Sequence, residues 1–150
     1  MPSLENVIGL QNKTKAKTGK VKKYWFENSQ IGLEKNLFYR FHIPLTKFDS
    51  GLDYVEQPED TEIVIEWLRI DLPDSNNLDS LKITSAEYEE AECSIYLGGA
   101  HNPCKIMKLD FIGISEGEYI IDCKLLVDFE KTGVGMKELY EFQTKILYCK

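Results

Sequence analysis

Residues 118–130 read EYIIDCKLLVDFE, and this stretch decides the fold class. Tyr119, Ile121, Cys123, Leu125, Val127 and Phe129 make an unbroken apolar row at every second position, with Glu118, Asp122, Lys124, Asp128 and Glu130 mainly between them. A period of two belongs to a strand, whose successive side chains point to opposite faces. Ile120 and Leu126 interrupt the polar row, so the strand is expected to lie centrally in a sheet with part of its second face covered.

Working outward, residues 105–114 set Met107, Leu109 and Phe111 opposite Lys108 and Asp110, and Ser115-Glu116-Gly117 supplies the turn of an antiparallel hairpin. Leu37, Tyr39, Phe41 and Ile43 alternate with Phe38, Arg40 and His42 until Pro44, which removes a backbone donor and suits a strand end. Residues 61–72 predict a strand covered on both faces, with Ile63, Ile65 and Trp67 on one side and Val64, Leu68 and Ile70 on the other. Residues 21–26 and 92–97 add shorter strands. At the C-terminus, Met136, Leu139, Tyr140 and Leu147 suit a helix, but the alternation Tyr140, Phe142, Thr144, Ile146, Tyr148 favours a strand over residues 142–149.

Turn residues at Gly32, Asp49-Ser50-Gly51, Pro73-Asp74-Ser75-Asn76-Asn77, Gly98-Gly99 and Gly133 separate these strands. No helical stretch of βαβ length lies between them. Thr84-Ser85-Ala86-Glu87 has capping-box spacing and predicts a short helix reaching about Ala91. The expected fold is mainly β, or β-rich α+β: an antiparallel sandwich or partly closed barrel of about six to eight strands with one or two short helices.

The chain has 150 residues, a net charge of −7 and 43% apolar residues, which fits one domain over residues 1–150 and excludes fibrous or wholly disordered classes. A domain of this length buries roughly 68–70% of its unfolded surface, so folding demands no disulfide, metal or cofactor. Charge is unevenly divided. Residues 1–23 hold six lysines against Glu5 alone, net +5, while the rest holds 12 basic and 24 acidic residues, net −12. Residues 1–20 read as a flexible or loosely packed basic lead-in. Apolar runs are only a few residues long, against the about 20 that a membrane-spanning helix needs. With an acid where a signal peptide carries basic residues, a cytoplasmic location is expected, and there Cys93, Cys104, Cys123 and Cys149 stay reduced.

The strongest chemical motifs are missing. The sequence contains no phosphate-cradling P-loop, no Gly-x-Gly-x-x-Gly, no Gly-x-Ser-x-Gly elbow and no His-Glu-x-x-His pair. Cys93, Gly98-Gly99, His101 and Cys104 form the densest reactive group, able in principle to offer a thiolate with a base or three zinc ligands. Yet Cys-x7-His-x2-Cys is not a known ligand spacing, and Gly98 to Pro103 reads better as a connection between strands. No catalytic residue, metal site or cofactor is assigned.

Acidic residues gather in two groups. Asp53, Glu56, Glu59, Asp60, Glu62 and Glu66 form the first, and Glu87, Glu89, Glu90 and Glu92 the second. These support a non-catalytic protein-binding module, an inhibitor or immunity protein that neutralises a basic, nuclease-like toxin by occluding its cleft with negative charge. The assigned surface is Asp53, Glu56, Glu59, Asp60, Glu87, Glu89 and Glu90, with Tyr54 and Tyr88 as aromatic anchors. A barrel carrying a small ligand among Tyr39, Phe41, Phe111 and Tyr119 is the alternative. An enzyme built on Cys93, His101 and Cys104 ranks lower, and nucleic-acid binding conflicts with the −12 body. An exposed edge or apolar face also admits a homodimer.

Overall fold

Residues 118–127 form one strand of a closed barrel, paired along both edges. A computed structural model describes residues 7–28, 33–70, 72, 74 and 77–149. Among them are one helical turn, α1 (Leu10–Lys13), and seven strands: β1 (Gly19–Asn28), β2 (Leu33–Pro44), β3 (Glu62–Leu68), β4 (Glu92–Leu97), β5 (Ala100–Ser115), β6 (Glu118–Val127) and β7 (Glu138–Cys149). Each strand pairs with the next, and β1 closes on β7. Six of the seams are antiparallel and the closing seam is parallel. The odd strand count requires this, because direction reverses at every hairpin and the first and seventh strands then run the same way.

Of the two architectures expected, the barrel is formed, and it is complete rather than partly closed. Tyr119, Ile121, Cys123, Leu125, Val127 and Phe129 are all buried, as their alternation requires. The C-terminal segment is a strand, beginning at Glu138. Expected turns form at Glu116-Gly117 and at Gly98-Gly99, whose two positive φ angles of 64° and 75° make the tight two-residue connection between β4 and β5.

Two strands change phase where alternation alone gives no warning. On β3, Ile65 and Leu68 face Phe41 and Tyr39, so three residues of β3 span two of β2. The extra residue lies at the bulge where Trp67 has φ 59°. The buried row is therefore Ile63, Ile65, Leu68 and Ile70; the expected covering of both faces is corrected, and the outer face of β3 is partly open. On β5, Ile106 and Lys108 pair with the consecutive residues Leu125 and Lys124, leaving Met107 as the extra residue. Ile106 takes the inward place, and Met107 is exposed, not inward as expected.

The short helix expected from Thr84 does not form. β5 is far longer than β4, so much of its edge has no strand beside it. Residues 80–85 satisfy that edge instead: the amide of Ile83 donates to Leu109 O at 2.9 Å, Ser85 to Ile106 O at 3.0 Å, and Phe111 to Leu81 O at 2.9 Å. Only half of the capping box survives, the Glu87 amide donating to Thr84 Oγ1 at 3.3 Å.

The described part of the basic lead-in is docked, not loose. Ile8 and Leu10 join the core. Both carboxylate oxygens of Glu138 accept the Gly9 amide, at 3.0 and 2.9 Å, and one also accepts the Leu10 amide at 2.9 Å. Gln11 exchanges two hydrogen bonds with the backbone of Glu141, and the Tyr140 hydroxyl donates to Thr14 O at 3.0 Å. The lysines stay exposed while the backbone beneath them is tied down, which a hydropathy reading of their side chains misses.

Tyr39, Phe41, Phe111 and Tyr119, the aromatics expected to line a ligand space, are buried and fill the interior against one another. Ring centroids are 5.6 Å apart for Phe41 and Phe111 and 6.1 Å for Phe111 and Tyr119. Burial pushes the phenols of Tyr39 and Tyr140 up to about 12, from an ordinary 10.0. Both phenols are neutral in the folded and unfolded chain below the lower value. Above it the unfolded chain ionises first, so stability is lost as pH rises through this window. Denaturant unfolding at about pH 9 and about pH 11 should show that fall, with Tyr140→Phe reducing it.

Candidate functional site

On β3 the outward positions are Glu62, Val64 and Glu66, continuing the row from Asp60; on β4 they are Glu92, Ser94 and Tyr96. The register sets Glu66 directly opposite Glu92 and Val64 opposite Ser94. β2 brings His42 beside Val64, and β5 brings His101 beside Tyr96 and Pro103 beside Ser94. Together these residues line an open groove of about 700 Å³ on the barrel wall.

The groove is an electrostatic anomaly on this wall. Across β5, β6 and β7 three outer lysines are matched by acids: Lys108 with Asp122 at 2.9 Å, Lys124 with Glu141 at 3.3 Å, and Lys145 with Glu118 at 3.1 Å. The Asp122 hydrogen bond and charge raise the Lys108 ammonium pKa, and the Lys145 and Ser115 hydrogen bonds lower that of the Glu118 carboxyl. On β3 and β4 the matching is incomplete: Glu66 and Glu62 have partners in Arg40 and His42, and Glu92 has none among the described residues. Two like charges stand opposite each other in Glu66 and Glu92, an arrangement that destabilises a strand pair. Arg40 Nε stands 3.0 Å from Glu66 Oε1, but its N–H is not aimed at the carboxylate, and the guanidinium lies over the Tyr24 ring, 4.9 Å from its centre. Glu62 meets His42 Nδ1 at 3.0 Å. Glu92 is exposed and has no hydrogen-bond or ion-pair partner among the described residues.

Tyr96 is half-exposed within this acidic surround, its ring 4.8 Å from that of His101 at a tilt of 60°. An aromatic face beside a carboxylate, here Glu62, suits a cation. Cys93 and Cys104 are cross-strand partners on the inward row, whereas period two carries His101, three residues before Cys104, to the outer row. The Cys104 hydrogen bond and then burial push the Cys93 thiol up, and burial does the same for Cys123, which keeps both protonated. Cys93, His101 and Cys104 all border the groove, but the two cysteines stand on the inward row and His101 on the outer one. Among the described residues no group of three or more His, Cys, Asp or Glu side chains could hold a metal ion.

The nine residues assigned from sequence fall into two separate places. Asp53, Tyr54, Glu56 and Asp60 are exposed on the loop that leads into β3. Glu59 is half-buried and braces the β4–β5 turn, accepting the Gly98 amide at 2.9 Å. Glu87, Glu89 and Glu90 are exposed beyond the other end of β3. Beside them lie Trp67, Arg69 and the half-buried Tyr88, which packs against the core. The seven residues of β3 hold the two groups about 20 Å apart. What joins them is the outer face itself, with Glu62, Glu66, Glu92 and Tyr96. Glu62, Glu66 and Glu92 belong to the two acidic groups of the sequence but, with Tyr96, are not among the nine assigned residues; the alternation Glu92, Ser94, Tyr96 is the signal that joins two of them.

Among the described residues no helix is long and apolar enough to cross a membrane. No protein-family model, curated protein or solved structure matches the chain.

Proposed function

We propose that the protein is a non-catalytic binding module that inhibits a basic, nuclease-like protein, as an immunity protein neutralises a toxin, by covering the partner's positive cleft. The observation that supports this reading is the unmatched charge of Glu92, set opposite Glu66 on a wall whose other carboxylates are largely paired. Such a surface speeds encounter with a basic partner and disfavours acidic ones. Inhibition is steric and electrostatic, and calls for no nucleophile or metal in this chain.

Affinity capture from the native host at low and at high salt, read by native mass spectrometry, tests the reading. The expected result is one basic protein held in a fixed ratio at low salt, with association slowed as salt rises. Adding the purified module in equal amount then abolishes that protein's nuclease activity. A chain that emerges bare, or that carries only a small-molecule mass, rejects the proposal.

A further inference from the structure

We propose that the groove on the outer face of β3 and β4 is the docking point, and that its occupant is an extended segment of the protein partner carrying two arginines four positions apart. The inference rests on the reading of the chain as a binder of a basic protein, and identifies the place and the recognition element.

Charge complementarity selects the occupant. One end of the groove holds the opposed carboxylates of Glu66 and Glu92. Arg40 stands beside Glu66 only, so a guanidinium brought to Glu92 removes the remaining repulsion and can satisfy that carboxylate through two parallel hydrogen bonds, which an ammonium cannot. The other end holds Glu62 and Tyr96, whose strands are tied there by the Thr61 hydroxyl donating to the Tyr96 carbonyl. Here a second guanidinium can lie on the half-exposed Tyr96 ring beside the Glu62 carboxylate.

Spacing selects the conformation. Glu92 and Tyr96 are four residues apart on one strand, about 13 Å. A segment laid along the groove in extended conformation repeats that distance between its own positions i and i+4. Between the two ends lie Val64 and Pro103, which make an apolar floor for the intervening backbone and side-chain stems. The wall across β5 to β7 offers no counterpart to the partnerless Glu92 in line with an exposed aromatic ring, because Asp122, Glu141 and Glu118 are each held by a lysine.

The test uses the full chain and a capped heptapeptide of glycine with arginines at its second and sixth positions, titrated at low salt and followed by amide NMR shifts. The expected result is shifts concentrated at residues 62–66, 92–96 and 101–103. Moving the arginines next to each other should weaken binding about five-fold, as should Glu92→Gln, which changes an exposed side chain that holds no fold contact among the described residues. Glu89→Gln, outside the groove, should change it by less than about two-fold. Shifts centred on residues 53–60 or 87–90, equal affinity at both spacings, or no binding each overturn the groove assignment. The basic-partner reading itself stands or falls on the capture experiment, so the two failures are distinguishable.

Discussion

Replacing Asn102 by aspartate, a change of one atom in shape, should cost about 4 kcal/mol or more at neutral pH and prevent stable folding if the reserve is smaller. Asn102 is fully buried on β5. Its amide nitrogen donates to three carbonyl oxygens, those of Ile95 at 3.1 Å and of Leu97 and Ala100 at 3.0 Å. Its amide oxygen accepts the Thr132 hydroxyl, whose oxygen also lies 3.2 Å from Phe129 O. One side chain therefore holds the Gly98-Gly99 hairpin and ties it to the loop before β7. The introduced carboxylate turns a donor towards three acceptors into an acceptor, and buries a charge among them without a cation. Its folded-state pKa must rise above the unfolded value, so the penalty is full above the raised value and shrinks as pH falls below it. Unfolding by denaturant across the acid range checks both parts. Asn102→Ala removes the donors without adding charge, and should cost less at neutral pH; a larger cost for alanine would refute this account.

A second large effect is expected where the barrel closes. Gly19 opens β1 against β7, in a parallel seam whose register runs from Gly19–Ile146 to Lys22–Cys149. A Cβ on Gly19 would lie 2.7 Å from Ile146 Cδ1, 2.8 Å from the His42 carbonyl oxygen and 3.2 Å from Ile43 Cγ1. The isoleucine tip can swing aside, but the carbonyl belongs to the β2 backbone and moves only with its strand. Gly19→Ala should therefore cost about 2 kcal/mol, and Gly19→Val about 4, by forcing β1 away from its neighbours. The control is Gly99→Ala, at φ 75° with only Val55 Cγ1 at 4.0 Å, where the strained backbone alone costs about 1 kcal/mol. Equilibrium unfolding ranks the three, and hydrogen exchange should show the amides of residues 19–22 and 146–149 exposed first. A Gly19→Ala cost no greater than that of Gly99→Ala would remove the close approach as the reason for glycine.

The groove was half legible in the linear chain. Its acids stood out by number, and the alternation of β4 already put Glu92 and Tyr96 on one face. Their surroundings were not legible, because Glu66 meets Glu92 only through the β3–β4 register. Tyr88 was expected as an exposed anchor for its nearness in sequence to Glu87, Glu89 and Glu90, yet it packs against the core, while Tyr96 is the aromatic on the groove. Proximity along a chain does not say which side chains share a surface.

Local physics made most of the strands readable. Period two, turn residues and the lack of long helical patterns determine a β protein, and β6 follows from its alternation because it has no bulge within it. Charge division likewise separates a basic lead-in from an acidic body without any fold. Three matters were decided only in the folded chain: the bulges at Trp67 and Met107 that reset which faces point inward, the docking of residues 8–17 onto β7 and the loop after β2, and the closure of β1 on β7. Each depends on a neighbour far away in sequence, and backbone hydrogen bonds and close packing choose that neighbour only when all seven strands are in place.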